Sequence, residues 1–332
     1  MQFWSRLAAA QPIVLNEQAI VDNLTEDNLT SIFASRKTWR DKQVYLVHAQ
    51  GIGTLVAKKF QNENPALQVD ENVKNRCKSE MNLLANICHD NIIKVVEHIR
   101  REDAIMLVYE YPVNGSLQSW LHQPMGAAQP LSWPKRSIIA TGVAQGLCHL
   151  HHGCNKPVVH HNISPNNILL DQTFKPVIAG FDDAQMNMAG LGQPLPITDL
   201  PPGNFGYAAP EYGNTANPMT EKVDTYSFGV LLLVLVTGQE SSGAGAGGPL
   251  AVWARNFTKL MVNQPEIFEG AVDVVIPDQA RYMEEIATVF RLGVECTAVD
   301  PEQRPSMRMV LKRLRHGCGH SPFRGLLTCY LP

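Results

Sequence analysis

Side chains able to hold a metal, a phosphate or a proton gather in several stretches of this 332-residue sequence. Cys148, His149, His151, His152, Cys154, His160 and His161 crowd one short span, a composition that by itself suggests zinc. Residues 148–152 fall at the end of a helical stripe, however, where successive side chains point in different directions and cannot converge on one ion. A helix end is the plainer reading, and the same holds for His316-Gly-Cys-Gly-His320 in the tail. Gly51-Ile-Gly53 has the start of a phosphate-cradling glycine pattern, but Val56 stands where the third glycine belongs and Gly53 is only five residues from Lys58, so it reads as a strand turn. Arg36, Lys37, Arg40 and Lys42 could grip phosphate or face an anionic membrane, although a solvated strand edge accounts for them more simply. The remaining candidates are the strand lysines Lys58 and Lys59, the acid Glu80, and the polar run from His160 to Asn167 with Gly180-Phe-Asp-Asp183 after it.

The elements that must position these residues follow from periodicity. Gln43–Val47, Thr54–Phe60, Ile92–Val96 and Ile105–Tyr109 are short β-branched or apolar runs, with a helix expected near 73–87. After Pro112-Val-Asn-Gly-Ser116 the period changes. Ile139, Val143, Leu147 and Leu150 recur at steps of four, four and three, a core-facing helical stripe. Later helices are expected over 222–237, 250–263, 281–297 and 305–315, with Ser241–Gly248 as a surface loop.

Composition narrows the class further. With 45% hydrophobic and 18% charged residues the chain can bury a large core, and a formal net charge of −3 supplies no basic field for nucleic acid. The seven cysteines are odd in number and scattered, which fits a reducing compartment rather than a disulfide framework. The longest apolar run, Gly229–Val236, is far short of the ~20 residues that span a bilayer, and the N-terminus predicts no secretory leader.

One set of motifs stands in a specific order: Ala57-Lys58-Lys59, Glu80, Leu107-Val-Tyr109-Glu110-Tyr111, His160–Leu170, Gly206-Tyr-Ala-Ala-Pro-Glu211-Tyr212, Asp224-Thr-Tyr-Ser-Phe-Gly229 and Arg304-Pro-Ser-Met307. In order and spacing the chain resembles the kinase domain of plant leucine-rich-repeat receptor-like kinases, most densely at Leu131–Pro134, Ala144–Cys148 and Tyr226–Val230. The resemblance implies an α+β, bilobal protein-kinase-like fold. It has a small β-rich N-lobe with one main helix (28–109), a hinge (110–116) and a larger, mostly helical C-lobe (117–316), flanked by a juxtamembrane-like extension (1–27) and a tail (317–332).

Against that family the chemistry is depleted. Phosphoryl transfer depends on charge placement: a Lys on the phosphates, carboxylates on Mg²⁺ and a base near the acceptor hydroxyl. Where the family reads His-Arg-Asp-x-Lys-x-x-Asn, this chain has His160, His161, Asn162, Ser164 and Asn167. Asn162 replaces the base, and an amide accepts no proton at neutral pH, a loss of roughly 10²–10⁴-fold in rate. Ser164 removes a cation from the transferred phosphoryl, and His161 removes the Arg that grips a phosphorylated activation loop.

The family's Asp-Phe-Gly becomes Gly180-Phe181-Asp182, leaving no carboxylate at the Mg²⁺ position. Asp182 as a substitute would have to reach across ~6–7 Å of extended chain. No glycine occurs from Phe33 to Val47, where the family's phosphate-covering loop lies. The stretch from Gly180 to Glu211 holds Thr198 and Tyr207 as hydroxyl sites amid glycines and prolines, a poor phosphorylation switch.

What the resemblance leaves is a frame. Glu80 is expected to pair with the strand lysine, for which Lys58 and Lys59 compete, with Lys58 favoured. Ala57, Tyr109, Glu110, Tyr111 and Leu169 are remnants of a nucleotide pocket. Glu211 and Arg304 should form a buried ion pair, Asp224 should tie the 160–162 loop, and His160 and Phe181 fit a hydrophobic spine. The implied protein is a pseudokinase acting as scaffold or allosteric partner of active receptor-like kinases, in the cytoplasm or at the cytoplasmic face of the plasma membrane. No cofactor is expected: ATP binding would be weak, Mg²⁺ would not be held, and nucleic acid is not a partner. The alternatives are a weak, non-standard Ser/Thr kinase using Asp182 or Asp183, and a metal-independent nucleotide-binding switch.

Overall fold

The computed structural model describes residues 17–22, 24, 42–49, 53–62, 68–121, 130–195, 205–213, 218–243, 249–277 and 279–317. They fall into two compact units, one from residues 1–88 and 93–113, the other from 89–92 and 114–332.

The first unit is built on a four-stranded antiparallel sheet in the order β1-β2-β4-β3, with β1 Lys42–Ala49, β2 Gly53–Phe60, β3 Val95–Arg100 and β4 Ile105–Glu110. All five residues from Ile105 to Tyr109 are buried, so β4 is covered on both faces and reads as a continuous apolar run rather than an alternating one. Helix α1 (Glu17–Asp22), within the stretch expected to be an extension, inserts Ile20 into a core of Tyr45, Val47, Leu55, Ala57, Ile99, Met106 and Val108. Helix α2 (Glu71–Ala85) begins where Asp70 Oδ1 accepts the Val73 N–H at 2.8 Å, an N-cap worth about 1 kcal/mol. Its buried residues Val73, Cys77, Glu80, Leu83 and Leu84 recur at helical spacing, so the stripe that faces the sheet carries an acid in its middle. The strand expected over 92–96 starts later, at Val95. Ile92 instead bridges Ile178 within the second unit.

The second unit is mostly helical: α3 (Leu117–Leu121), α4 (Trp133–His152), α5 (Lys222–Thr237), α6 (Leu250–Met261), α7 (Met283–Cys296) and α8 (Met307–Gly317). Every residue of α5 from Val223 to Thr237 is buried, which is why its sequence is apolar without a stripe. Two small antiparallel pairs carry the candidate residues. β5 (Val158–Val159) pairs with β8 (Gln185–Met186), and β6 (Ile168–Leu170) with β7 (Pro176–Ile178). Helix α4 lies so close to β7 that a Cβ on Gly142 would stand 2.5 Å from Pro176 Cγ, and the Asn91 amide donates to Pro176 O at 2.8 Å. The β6–β7 hairpin is thereby fixed on both sides, and with it the loop before β6 and the turn after β7.

No helix among the described residues is long and apolar enough to cross a membrane. Several sequence features fall outside the described residues: most of the glycine-free stretch after Phe33 with Arg36, Lys37 and Arg40, Gly51, Thr198 with Pro196, Pro201 and Pro202, and Cys318 and His320 of the tail.

Candidate functional site

In the first unit the strand lysine is settled by the pleat. Side chains of a strand alternate between faces, and it is Lys58 whose Nζ lies 2.7 Å from Glu80 Oε2, both groups almost fully buried. Lys59, its neighbour on the opposite face, is half-buried. Tyr109 Oη donates to the other carboxylate oxygen, Glu80 Oε1, at 2.8 Å. Tyr109 is thus a core residue that fixes Glu80, while Glu110 is exposed and Tyr111 half-buried. Burial and the nearby Glu80 charge push the Cys77 thiol up to about 12, so it stays protonated.

In the second unit Asp224, at the start of α5, organises the loop that begins at His160. Its carboxylate accepts the His160 N–H at 2.8 Å, the His161 N–H at 2.9 Å and the His151 Nε2–H at 2.9 Å, with no solvent exposure. Burial pushes this carboxyl up, the His151 hydrogen bond pulls it down, and the net shift is downward. His160 Nε2 donates to Ala179 O at 3.1 Å, while its Nδ1 accepts the Asn162 N–H at 3.2 Å. That arrangement needs the neutral ring, and burial indeed lowers its pKa to about 4. The ring meets Phe181 edge-on, centroids 4.6 Å apart.

His161 adopts a positive φ of 64°, uncommon for a residue with a side chain. Its Nδ1 and Tyr212 Oη share a hydrogen bond of 2.6 Å, and burial keeps the imidazole pKa below its ordinary value. The sequence marks Tyr212 only as the end of the Gly206–Tyr212 motif and His151 only as one of a crowd of histidines, and gives neither a role at the 160–162 loop. Only the adjacency of Tyr212 to Glu211 and the position of His151 at a helix end could have marked them.

Asn162 Nδ2 points at Asp183 Oδ2, 3.3 Å away, and Asn167 Nδ2 donates to Asn162 O at 2.8 Å. Ser164 is buried at the start of the turn that ends at Asn167, and Leu169 is buried in β6. Gly180 sits at φ 79°, ψ 50°, and a Cβ there would lie 2.5 Å from Asn167 Oδ1. No side-chain oxygen is present at position 180, so the residues here do not fit a divalent cation held between 167 and 180. Among the described residues no group of three or more His, Cys, Asp or Glu is arranged to hold a metal ion.

Farther along, Arg304 grips Glu211 with two hydrogen bonds, Nη1 to Oε1 at 2.6 Å and Nη2 to Oε2 at 2.8 Å, both side chains fully buried. The Ser227 hydroxyl holds Tyr207 O at 2.8 Å, which fastens the same segment to α5.

Residues 41–314 match the model of the protein kinase domain. The chain belongs to the protein kinase domain family. Among its relatives are Receptor-like protein kinase 7 of Arabidopsis thaliana, 35% identical over 319 residues, which takes in 94% of this chain and 31% of that protein. The leucine-rich repeat receptor protein kinase EMS1 of Arabidopsis thaliana is 38% identical over 243 residues, 71% of this chain and 19% of that protein. The leucine-rich repeat receptor protein kinase MSP1 of Oryza sativa subsp. japonica is 37% identical over 248 residues, 73% of this chain and 18% of that protein. The kinase domain thus spans less than a third of the length of these relatives. Its sheet unit and helical unit agree with the expected α+β architecture.

Proposed function

We propose that this protein kinase domain does not transfer phosphate and serves instead as a scaffold or allosteric partner of active receptor-like kinases at the cytoplasmic face of the plasma membrane. One observation carries the proposal: Asn162 and Gly180 occupy the two positions where the chemistry needs carboxylates, while the Lys58–Glu80 and Glu211–Arg304 pairs that frame the fold are intact. Loss of the base alone costs roughly 10²–10⁴-fold, and loss of the metal ligand removes the charge that holds Mg²⁺ on the phosphates, although groups acting as one unit do not multiply their effects. The partner class follows from kinship with receptor-like kinases. The test is a phosphorylation assay on purified protein with Mg²⁺ or Mn²⁺. No transfer above that of a Lys58→Ala, Lys59→Ala variant is expected, and robust metal-dependent transfer that this variant abolishes would refute the proposal.

The Lys58–Glu80 pair also favours a second reading, a domain that binds ATP without metal as a conformational signal. Thermal unfolding with ATP alone tests it, because a ligand at ~100 times its Kd stabilises the folded state by about 2.7 kcal/mol. An unchanged melting temperature refutes this second reading.

A further inference from the structure

Arg100 ends β3 and Arg101 opens the turn to β4, two adjacent cations with no part in the frame described above. Both line a cavity of about 380 Å³ in the first unit, together with Lys74 of α2, Glu102 and the buried side chains of Val69 and Ile105. Main-chain hydrogen bonds hold its walls: the Val69 N–H donates to Glu102 O at 3.1 Å, and the Arg101 N–H to Ala104 O at 2.9 Å, which closes the turn. Asn62 braces the segment before α2, its amide donating to Gln68 O at 2.8 Å and its Oδ1 accepting the Asp70 N–H at 3.0 Å. The three cations are oriented without being used up. Arg101 Nη2 donates to Gln18 Oε1 of α1 at 3.0 Å, one of five N–H groups, and Lys74 Nζ gives one of its three to Glu71 Oε1 at 2.7 Å. Arg100 makes no side-chain hydrogen bond or ion pair with any described residue, and its charge acts on Glu71 through space.

We propose that Lys74, Arg100 and Arg101 bind the phosphorylated Ser or Thr side chain of a protein partner. Three cations against one lining carboxylate, beside two apolar side chains, suit a group with an anionic end and a short hydrocarbon stem. Guanidinium groups hold phosphate through paired N–H donors, and two of the three cations here are arginines. The existing partners, a neutral amide on Arg101 and an exposed carboxylate on Lys74, are ones that a doubly charged phosphoryl group outcompetes or shares. Asp70, Glu102 and Asp103 are exposed on the segments that form the walls. A broad anionic lipid surface laid over them would meet like charge, which one side chain entering the cavity avoids. The proposal rests on the scaffold reading for the kind of partner alone, because the cavity takes no part in catalysis.

The experiment measures fluorescence anisotropy of a short labelled peptide with one phosphoserine among alanines and leucines, titrated with the full chain. Beside it run the same peptide with serine, inorganic phosphate as competitor, and vesicles of phosphatidylcholine with phosphatidylinositol 4-phosphate. The phosphopeptide is expected to bind at least about tenfold more tightly than its serine counterpart. Arg100→Ala with Arg101→Ala should abolish that preference, while Lys312→Ala, an exposed cation on α8 of the second unit, should leave it intact. Both arginines are exposed, so the double variant should melt with the wild type. Equal binding of the two peptides, or a preference that survives the double variant, would overturn the site. Inorganic phosphate that competes as well as the phosphopeptide, or vesicle binding without phosphopeptide binding, would overturn the assignment to a protein partner. A chain that prefers the phosphopeptide and also transfers phosphate would support the site and overturn the inactive reading, whereas an inactive chain without the preference would overturn the site alone.

Discussion

Replacing Arg304 with Met should destabilise the second unit more than any surface change can. The guanidinium has all five N–H groups committed: two to Glu211, and the others to Ala298 O at 2.8 Å, Lys222 O at 2.9 Å and Val299 O at 3.3 Å. Methionine fills a similar volume but strands the Glu211 carboxylate in a place with no exposure. Removing one member of a buried pair costs about 3–5 kcal/mol, mainly because the other charge is left without compensation. For a unit of this size that is about 10 °C of melting temperature. Urea unfolding followed by tryptophan fluorescence measures the loss, alongside Glu211→Leu and the double variant. The double variant should recover about 2 kcal/mol relative to the summed single losses, because it leaves neither charge behind. A loss below about 1 kcal/mol for Arg304→Met, or additive losses in the cycle, would refute the assignment of this pair as a principal lock of the segment.

Asp224→Asn should cost about 3 kcal/mol in the same assay, since an amide cannot accept from both His160 N–H and His161 N–H while also receiving His151, and at least one buried donor then faces another. Stability should decline as pH falls from about 6.5 to about 4: the buried His160 has its pKa depressed to about 4, so the unfolded chain takes up a proton in that window that the folded chain refuses. A His160→Gln variant should show a shallower decline in melting temperature between pH 7.5 and 5, and an equally steep one would contradict the assignment. Tyr212→Phe and His161→Ala should each cost about 1 kcal/mol and be coupled by a similar amount in a double-mutant cycle, where independence would mean that the 2.6 Å contact contributes nothing.

Much of the fold could be read from local sequence, because the Ile139–Leu150 stripe marks α4 while unbroken apolar runs mark α5, β2 and β4. Ile92 was misplaced because a β-branched run says that a segment is extended without saying which sheet it joins, and its partner Ile178 lies 86 positions away. Of the candidate site, the altered residue types at 161, 162, 164 and 180 are visible as letters. The contacts that these residues make are not. The hydrogen bonds Asn162–Asp183 and His161–Tyr212 and the seating of Asn167 on Gly180 join residues brought together only by the chain's return through β7 and α5. The choice of Lys58 over Lys59 lay between: alternation puts the two on opposite faces, but only the position of Glu80 on α2 tells which face is the inner one.

Asp224 has a consequence for how this domain can change over time. Its carboxylate holds the loop by the main-chain N–H groups of His160 and His161, groups that every residue but proline supplies. This anchor is therefore independent of the side-chain chemistry at 161, within what the positive φ of that position allows. An ancestor could exchange that side chain without loosening the anchor, so shape is in part insulated from chemistry, and the two can be inherited or discarded separately.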